Sequence, residues 1–102
     1  MASKLLLEAN MTWGTPVEVE TKNRIKVSVA AYAYEFMGES IMSDHEFDTL
    51  SLKIDKNLQT GNKVMDNFFK KDFMPDTGMW IRSHPELNKI IKIYNTFYKD
   101  KK

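Results

Sequence analysis

Three times in this chain a hydroxyl side chain stands three residues ahead of a glutamate: Thr15-Pro-Val-Glu18, Ser43-Asp-His-Glu46 and Ser83-His-Pro-Glu86. In such a box the hydroxyl accepts from the amide of the third helical residue, and the glutamate accepts from the amide of the cap. Each box thereby satisfies donors that a helix start otherwise leaves without partners. Apolar residues follow at helical spacing. After Thr15, with proline in the first helical position, Ile25, Val29, Tyr32 and Phe36 draw one stripe that stops before Gly38, a residue suited to the left-handed turn beyond a helix end. After Ser43, the residues Phe47, Leu50, Ile54 and Leu58 predict a helix running to Gly61. After Ser83, the broad stripe Leu87, Ile90, Ile91, Tyr94, Phe97 and Tyr98 predicts a core-facing C-terminal helix.

Between the second and third boxes, Asn62 to Phe73 sets Val64, Met65, Phe68 and Phe69 on one side of a shorter helix, which Pro75 and Gly78 break off. The turn from Met74 to Arg82 carries Trp80 and Ile81, placed to plug one end of a core, and Met11 to Gly14 puts Trp13 in a similar position near the start. One choice stays open. The run Pro16-Val-Glu-Val-Glu20 alternates, and β-branched residues recur as far as Val29, so a strand through Val17 and Val19 giving way to helix near Lys22 to Ile25 competes with a single helix. With no internal repeat and no long linker, residues 1–102 read as one small domain. Its class is mainly α: a three- to four-helix orthogonal bundle, with a short N-terminal strand as the variant.

The 15 basic and 14 acidic side chains leave a formal charge of +1, so bulk charge does not imply a polyanionic partner. No cysteine is present, which excludes disulfides and thiolate metal sites and suits a reducing compartment. Leu5 to Leu7 is far shorter than the roughly 20 apolar residues of a spanning helix. These features predict a soluble, cytoplasmic protein without membrane contact.

The stretch Tyr34 to Leu50 holds the chemistry. Asp44, Glu46 and Asp48 crowd the start of the second helix, where free amides and the helix dipole favour negative charge. That accounts for Asp44 and Glu46 but not for Asp48, which lies past the exposed amides. Asp44 and Asp48, four apart, share a face and repel each other unless a cation or donor sits between them.

Tyr34, Gly38, Ile41, Ser43-Asp44, Glu46-Phe47-Asp48 and Leu50 together resemble the N-terminal Ia domain of bacterial NAD-dependent DNA ligases, a helical unit that clasps the nicotinamide mononucleotide end of NAD. The resemblance rests on the segment from Tyr34 to Leu50 only. It implies that Tyr34, Asp44, Phe47 and Asp48 bind the cofactor, with Phe47 standing where the family has a second tyrosine and Glu35 where it usually has histidine. A carboxylate at that place repels a phosphate-bearing ligand. The chain has no lysine nucleophile in a Lys-x-Asp-Gly setting and is too short for a nucleotidyltransferase core, so ligation by these residues alone is not expected and only the binding unit is implied.

Other chemistries find less support. Asp44, His45, Asp48 and His84 match no metal-ligand spacing, and no nucleophile motif is present, so neither a metal site nor an enzyme is expected. The five lysines between Ser83 and Lys102, with Tyr94, Phe97 and Tyr98 among them and Lys70-Lys71 beside them, allow weak nucleic-acid binding. The aromatics, however, lie on the apolar stripe, where packing rather than base stacking is their ordinary use. Met37, Met42, Met74 and Met79, four of the seven methionines, fall in or beside turns, where their adaptable side chains suit an interaction surface. The expectation is a small non-catalytic interaction or regulatory protein of the accessory or inhibitor kind that phages and mobile elements encode. Its partner is another protein or a second copy, and it needs no cofactor. The alternatives are a module for NAD or nicotinamide mononucleotide and a weak nucleic-acid binder acting through the C-terminal helix.

Overall fold

Of the two readings of Pro16 to Val29, the chain adopts the helix: α1 runs Pro16–Met37 without interruption. Thr15 caps it with the full reciprocal box, and Gly38 ends it in the left-handed conformation with φ 66°. The computed structural model describes residues 14–99. Trp13, Leu5 to Leu7, Asp100 and the two terminal lysines lie outside them. After α1 come α2 (Asp44–Lys53), α3 (Lys63–Lys71), a 3₁₀ turn (Met79–Ser83) and α4 (Leu87–Phe97), so the described residues are mainly α with four helices and no strand. No helix among them is long and apolar enough to cross a membrane.

α1 is the centre of the packing, in contact with α2, the 3₁₀ turn and α4. Every residue from Val27 to Ala33 is buried, and the small Ala30, Ala31 and Ala33 let neighbours approach from several sides. The stripe drawn from sequence needs correction at both ends, because Ile25 and Phe36 lie on the outside. The buried face of the first half of α1 is instead polar, built from Glu20, Arg24 and Ser28. Arg24 Nε donates to Glu20 at 2.7 Å and Nη1 to Asp66 at 2.7 Å, while Nη2 donates to the carbonyls of Asp55 and Leu58 at 3.0 Å each. The Glu20 carboxylate accepts from the Asp55 amide at 3.0 Å. These bonds also explain why α2 stops at Lys53 instead of reaching Gly61. The backbone of 55–58 is drawn to the side chains of α1, which leaves Leu58 in a loop.

α3 enters the core through its aromatic rings. Phe68 and Phe69 are buried, and Phe69 lies within 5.7 Å of Phe73 and Trp80, centroid to centroid; Val64 lies outside. Trp80 and Ile81 plug the core as predicted, with the Trp80 indole donating to the Thr77 carbonyl at 2.7 Å.

The third box does not cap a helix. Ser83 closes the 3₁₀ turn and α4 starts four residues on, with Phe97 on its exposed side. The cause is Pro85: the residue before a proline is pushed out of the helical region, and His84 is extended with ψ 123°. In the Thr15 box the residue before proline is the cap itself, which is extended in any case.

His84 replaces the serine as acceptor, its Nδ1 taking the Glu86 amide at 3.0 Å. Burial pushes its pKa down from 6.5 to about 4, against the smaller opposing pull of the Glu86 carboxylate. Folding therefore depends on a neutral imidazole. Stability should be complete above the unfolded value, fall as pH drops from 6.5 toward about 4, and level off below that as far as this group is concerned. A loss of order 1–2 kcal/mol is expected after allowing for residual solvent contact. Urea midpoints compared across that window should move for the native chain and much less for His84→Asn, which keeps an acceptor but does not titrate. An unchanged native midpoint would contradict the buried neutral ring.

Candidate functional site

The segment after α1 turns sharply because Gly38 takes a positive φ that lets the Glu39 amide reach back to the Ala33 carbonyl at 2.9 Å. Tyr94 of α4 holds this connection from below by donating its hydroxyl to the Glu39 carboxylate. Ser43 then starts α2 with its amide on Glu46 Oε1 at 2.8 Å and its hydroxyl accepting from the Glu46 amide at 3.0 Å. Hydrogen bonding to Ser43, through its amide first and its side chain second, holds the Glu46 carboxyl below its ordinary value. Of the crowded acids, Glu46 is the structural one.

The turn anchored at Gly38 and the cap at Ser43 lay α2 beside α1 and leave a hollow of about 360 Å³ between them. Tyr34 and Glu35 of α1 form one wall, Asp44, Phe47 and Asp48 of α2 the other, and Asp76 to Gly78 close the end. Gly78 allows that closure. A Cβ there would lie 3.3 Å from the Ala31 Cβ, tighter than most side chains tolerate.

All four residues singled out from sequence, Tyr34, Asp44, Phe47 and Asp48, thus line one cleft. Sequence reading missed Asp76 and Thr77, which arrive from a turn about 30 residues downstream that was read only for its helix breakers, its methionines and its core plug.

The electrostatics of the cleft are one-sided. Glu35 has a partner in Arg82 at 3.4 Å, whose guanidinium also lies 5.1 Å over the Phe36 ring. The carboxylates of Asp44, Asp48 and Asp76 take no hydrogen bond or ion pair from any described residue. Tyr34 is 63% exposed and Phe47 partly so, which leaves aromatic surface among the carboxylates. Aromatic faces and carboxylates both attract cations and neither attracts phosphate. Among the described residues no three histidine, aspartate or glutamate side chains are grouped as metal ligands.

The C-terminal helix is built differently. Tyr94 is buried and stacks on Tyr98 at 6.5 Å between centroids, and Lys89 pairs with Glu86 at 3.5 Å. Compared with known families, curated proteins and solved structures, the chain matches none of them.

Proposed function

We propose that the chain is a small non-catalytic recognition protein whose cleft between α1 and α2 takes a cationic side chain, arginine or lysine, of a protein partner. The observation that carries this reading is the set of three unpartnered carboxylates, Asp44, Asp48 and Asp76, facing one hollow with Tyr34 and Phe47. Like charges so placed cost stability in the free protein. A cation entering the hollow turns that repulsion into attraction and adds ring contacts. Met42 lines the same hollow, and Met37, Met74 and Met79 are exposed, which supports a partner with apolar groups beside its cation.

A second reading, a module for nicotinamide mononucleotide, is favoured by the meeting of Tyr34, Asp44, Phe47 and Asp48 in the cleft. The cationic nicotinamide ring suits this site, whereas the Glu35 and Asp76 carboxylates in the same lining disfavour a phosphate.

An amide-resolved NMR titration separates the two. N-acetyl-arginine amide should give saturable shifts between Tyr34 and Asp48 in the millimolar range. Those shifts should vanish in Asp48→Asn, while the variant keeps its stability or gains about 0.2–0.5 kcal/mol by losing a like-charge pair. Shifts with nicotinamide mononucleotide and none with the arginine amide would transfer the cleft to the second reading. Silence with both would remove the cleft from the function altogether.

A further inference from the structure

The loop that ends α2 and the start of α3 form another hollow, of about 400 Å³, which shares no lining residue with the acidic cleft. Its charged groups are Lys56, Lys63, Lys70 and Asp66. None of the three lysines has a carboxylate within ion-pair distance among the described residues. The single acid is already engaged. Asp66 Oδ1 accepts from Arg24 at 2.7 Å and from the Thr60 hydroxyl at 2.7 Å, and its Oδ2 accepts from the Thr60 amide at 2.8 Å. Burial pushes the Asp66 carboxyl up, but these donors outweigh it and hold it below its ordinary value. It remains ionised and committed, so the lysines face the hollow without a counter-ion.

Lysines in solvent are common, and three alone would mean little. Here the loop that presents Lys56 and leads into α3, which carries Lys63 and Lys70, is fixed from beneath by a buried guanidinium. Arg24 holds the Asp55 and Leu58 carbonyls, Asp55 Oδ1 accepts from the Asn57 amide at 3.0 Å, and Asn62 caps α3 by accepting from the Met65 amide at 3.2 Å. Gly61 turns the chain between them at φ 93°. A ligand entering this hollow meets a backbone already in place, and so loses less to ordering of the loop. Lys63 and Lys70 lie seven residues apart on one side of α3, about 10 Å along its axis. The remaining lining is mostly carboxamide, from Asn57, Gln59 and Asn67, whose amide and carbonyl ends suit hydroxyl groups.

We infer that this hollow binds a phosphorylated, hydroxyl-bearing small molecule of the sugar-phosphate class, its phosphate on the ammonium groups of Lys56, Lys63 and Lys70 and its hydroxyls on the carboxamides. Ammonium groups are strong phosphate partners. A polynucleotide is disfavoured as occupant by the chain's net charge of only +1 and by the acidic groups of the cleft between α1 and α2.

The test is an amide-resolved NMR titration of the full chain with ribose 5-phosphate, ribose, sodium sulfate at matched ionic strength, and an eight-residue oligothymidylate. The expected result is saturable shifts over residues 56–63 and at Lys70 with ribose 5-phosphate, and none with ribose. The triple variant Lys56→Gln, Lys63→Gln, Lys70→Gln should lose about tenfold or more in affinity, since the phosphate then meets neutral carboxamides in place of three ammonium groups. The control triple Lys22→Gln, Lys26→Gln, Lys92→Gln, which changes the same charge elsewhere, should bind as the native chain does. Equal shifts with sulfate, equal losses in the control triple, no response to ribose 5-phosphate, or a response to the oligonucleotide alone would each overturn the assignment.

Discussion

Arg24→Ala is expected to cost about 3–5 kcal/mol, which approaches the whole stability of a domain this size. The substitution leaves the Glu20 carboxylate, 5% exposed, without its cation and strips Asp66 of its cationic partner. It also frees the Asp55 and Leu58 carbonyls, which in the native chain have a donor in Arg24. That last loss sets this network apart from an ordinary buried ion pair. Exchanging a buried pair for apolar side chains is often neutral or stabilising. Here the apolar replacement Glu20→Leu, Arg24→Met, Asp66→Leu should remain destabilised, because no aliphatic group can satisfy loop carbonyls or the Asp55 amide. Urea denaturation followed by circular dichroism measures the cost. Hydrogen exchange at 55–62 should rise in Arg24→Lys, which stays folded but has fewer donors in a different geometry. A cost below about 1 kcal/mol for Arg24→Ala, or an apolar triple as stable as the native chain, would show that the loop does not depend on this guanidinium.

The same network marks where sequence reading ran out. Glu20 and Arg24, four apart on a helix, have the spacing of a solvated surface pair. Their burial depends on Asp55, Leu58 and Asp66, which lie 31 to 42 residues away, and no local pattern encodes that meeting. The α1 stripe went astray for a related reason: a helix buried partly through polar groups defeats a count of apolar residues. What was local was legible. Two of the three boxes cap helices, and the third fails because Pro85 acts on His84. The candidate cleft was half legible. Tyr34, Asp44, Phe47 and Asp48 stand close in sequence across one tight turn, whereas Asp76 and Thr77 come from a distant segment that only tertiary packing brings near.

Phe69→Ala should cost about 3–5 kcal/mol, in the range of a fully buried aromatic whose cavity cannot collapse. Phe69 is completely inaccessible, with Phe68, Phe73, Trp80 and His84 around its ring at centroid distances of 5.3 to 6.4 Å. A cluster of rings relaxes poorly around a missing member, because each neighbour is already held by the others. Phe69 also carries the Arg24 guanidinium 5.0 Å from its centroid, so the aromatic core and the polar network share a boundary at this residue. A double-mutant cycle with the milder substitutions Phe69→Leu and Arg24→Lys, both expected to stay folded, should return a coupling of about 0.5–2 kcal/mol for that contact. Additive losses would mean that the two halves of the interior are energetically separate. The expected coupling would mean that the loop over the basic hollow is secured by the aromatic core as well as by its own hydrogen bonds. On that account Phe69→Leu should raise hydrogen exchange at 55–62 although Phe69 makes no hydrogen bond there.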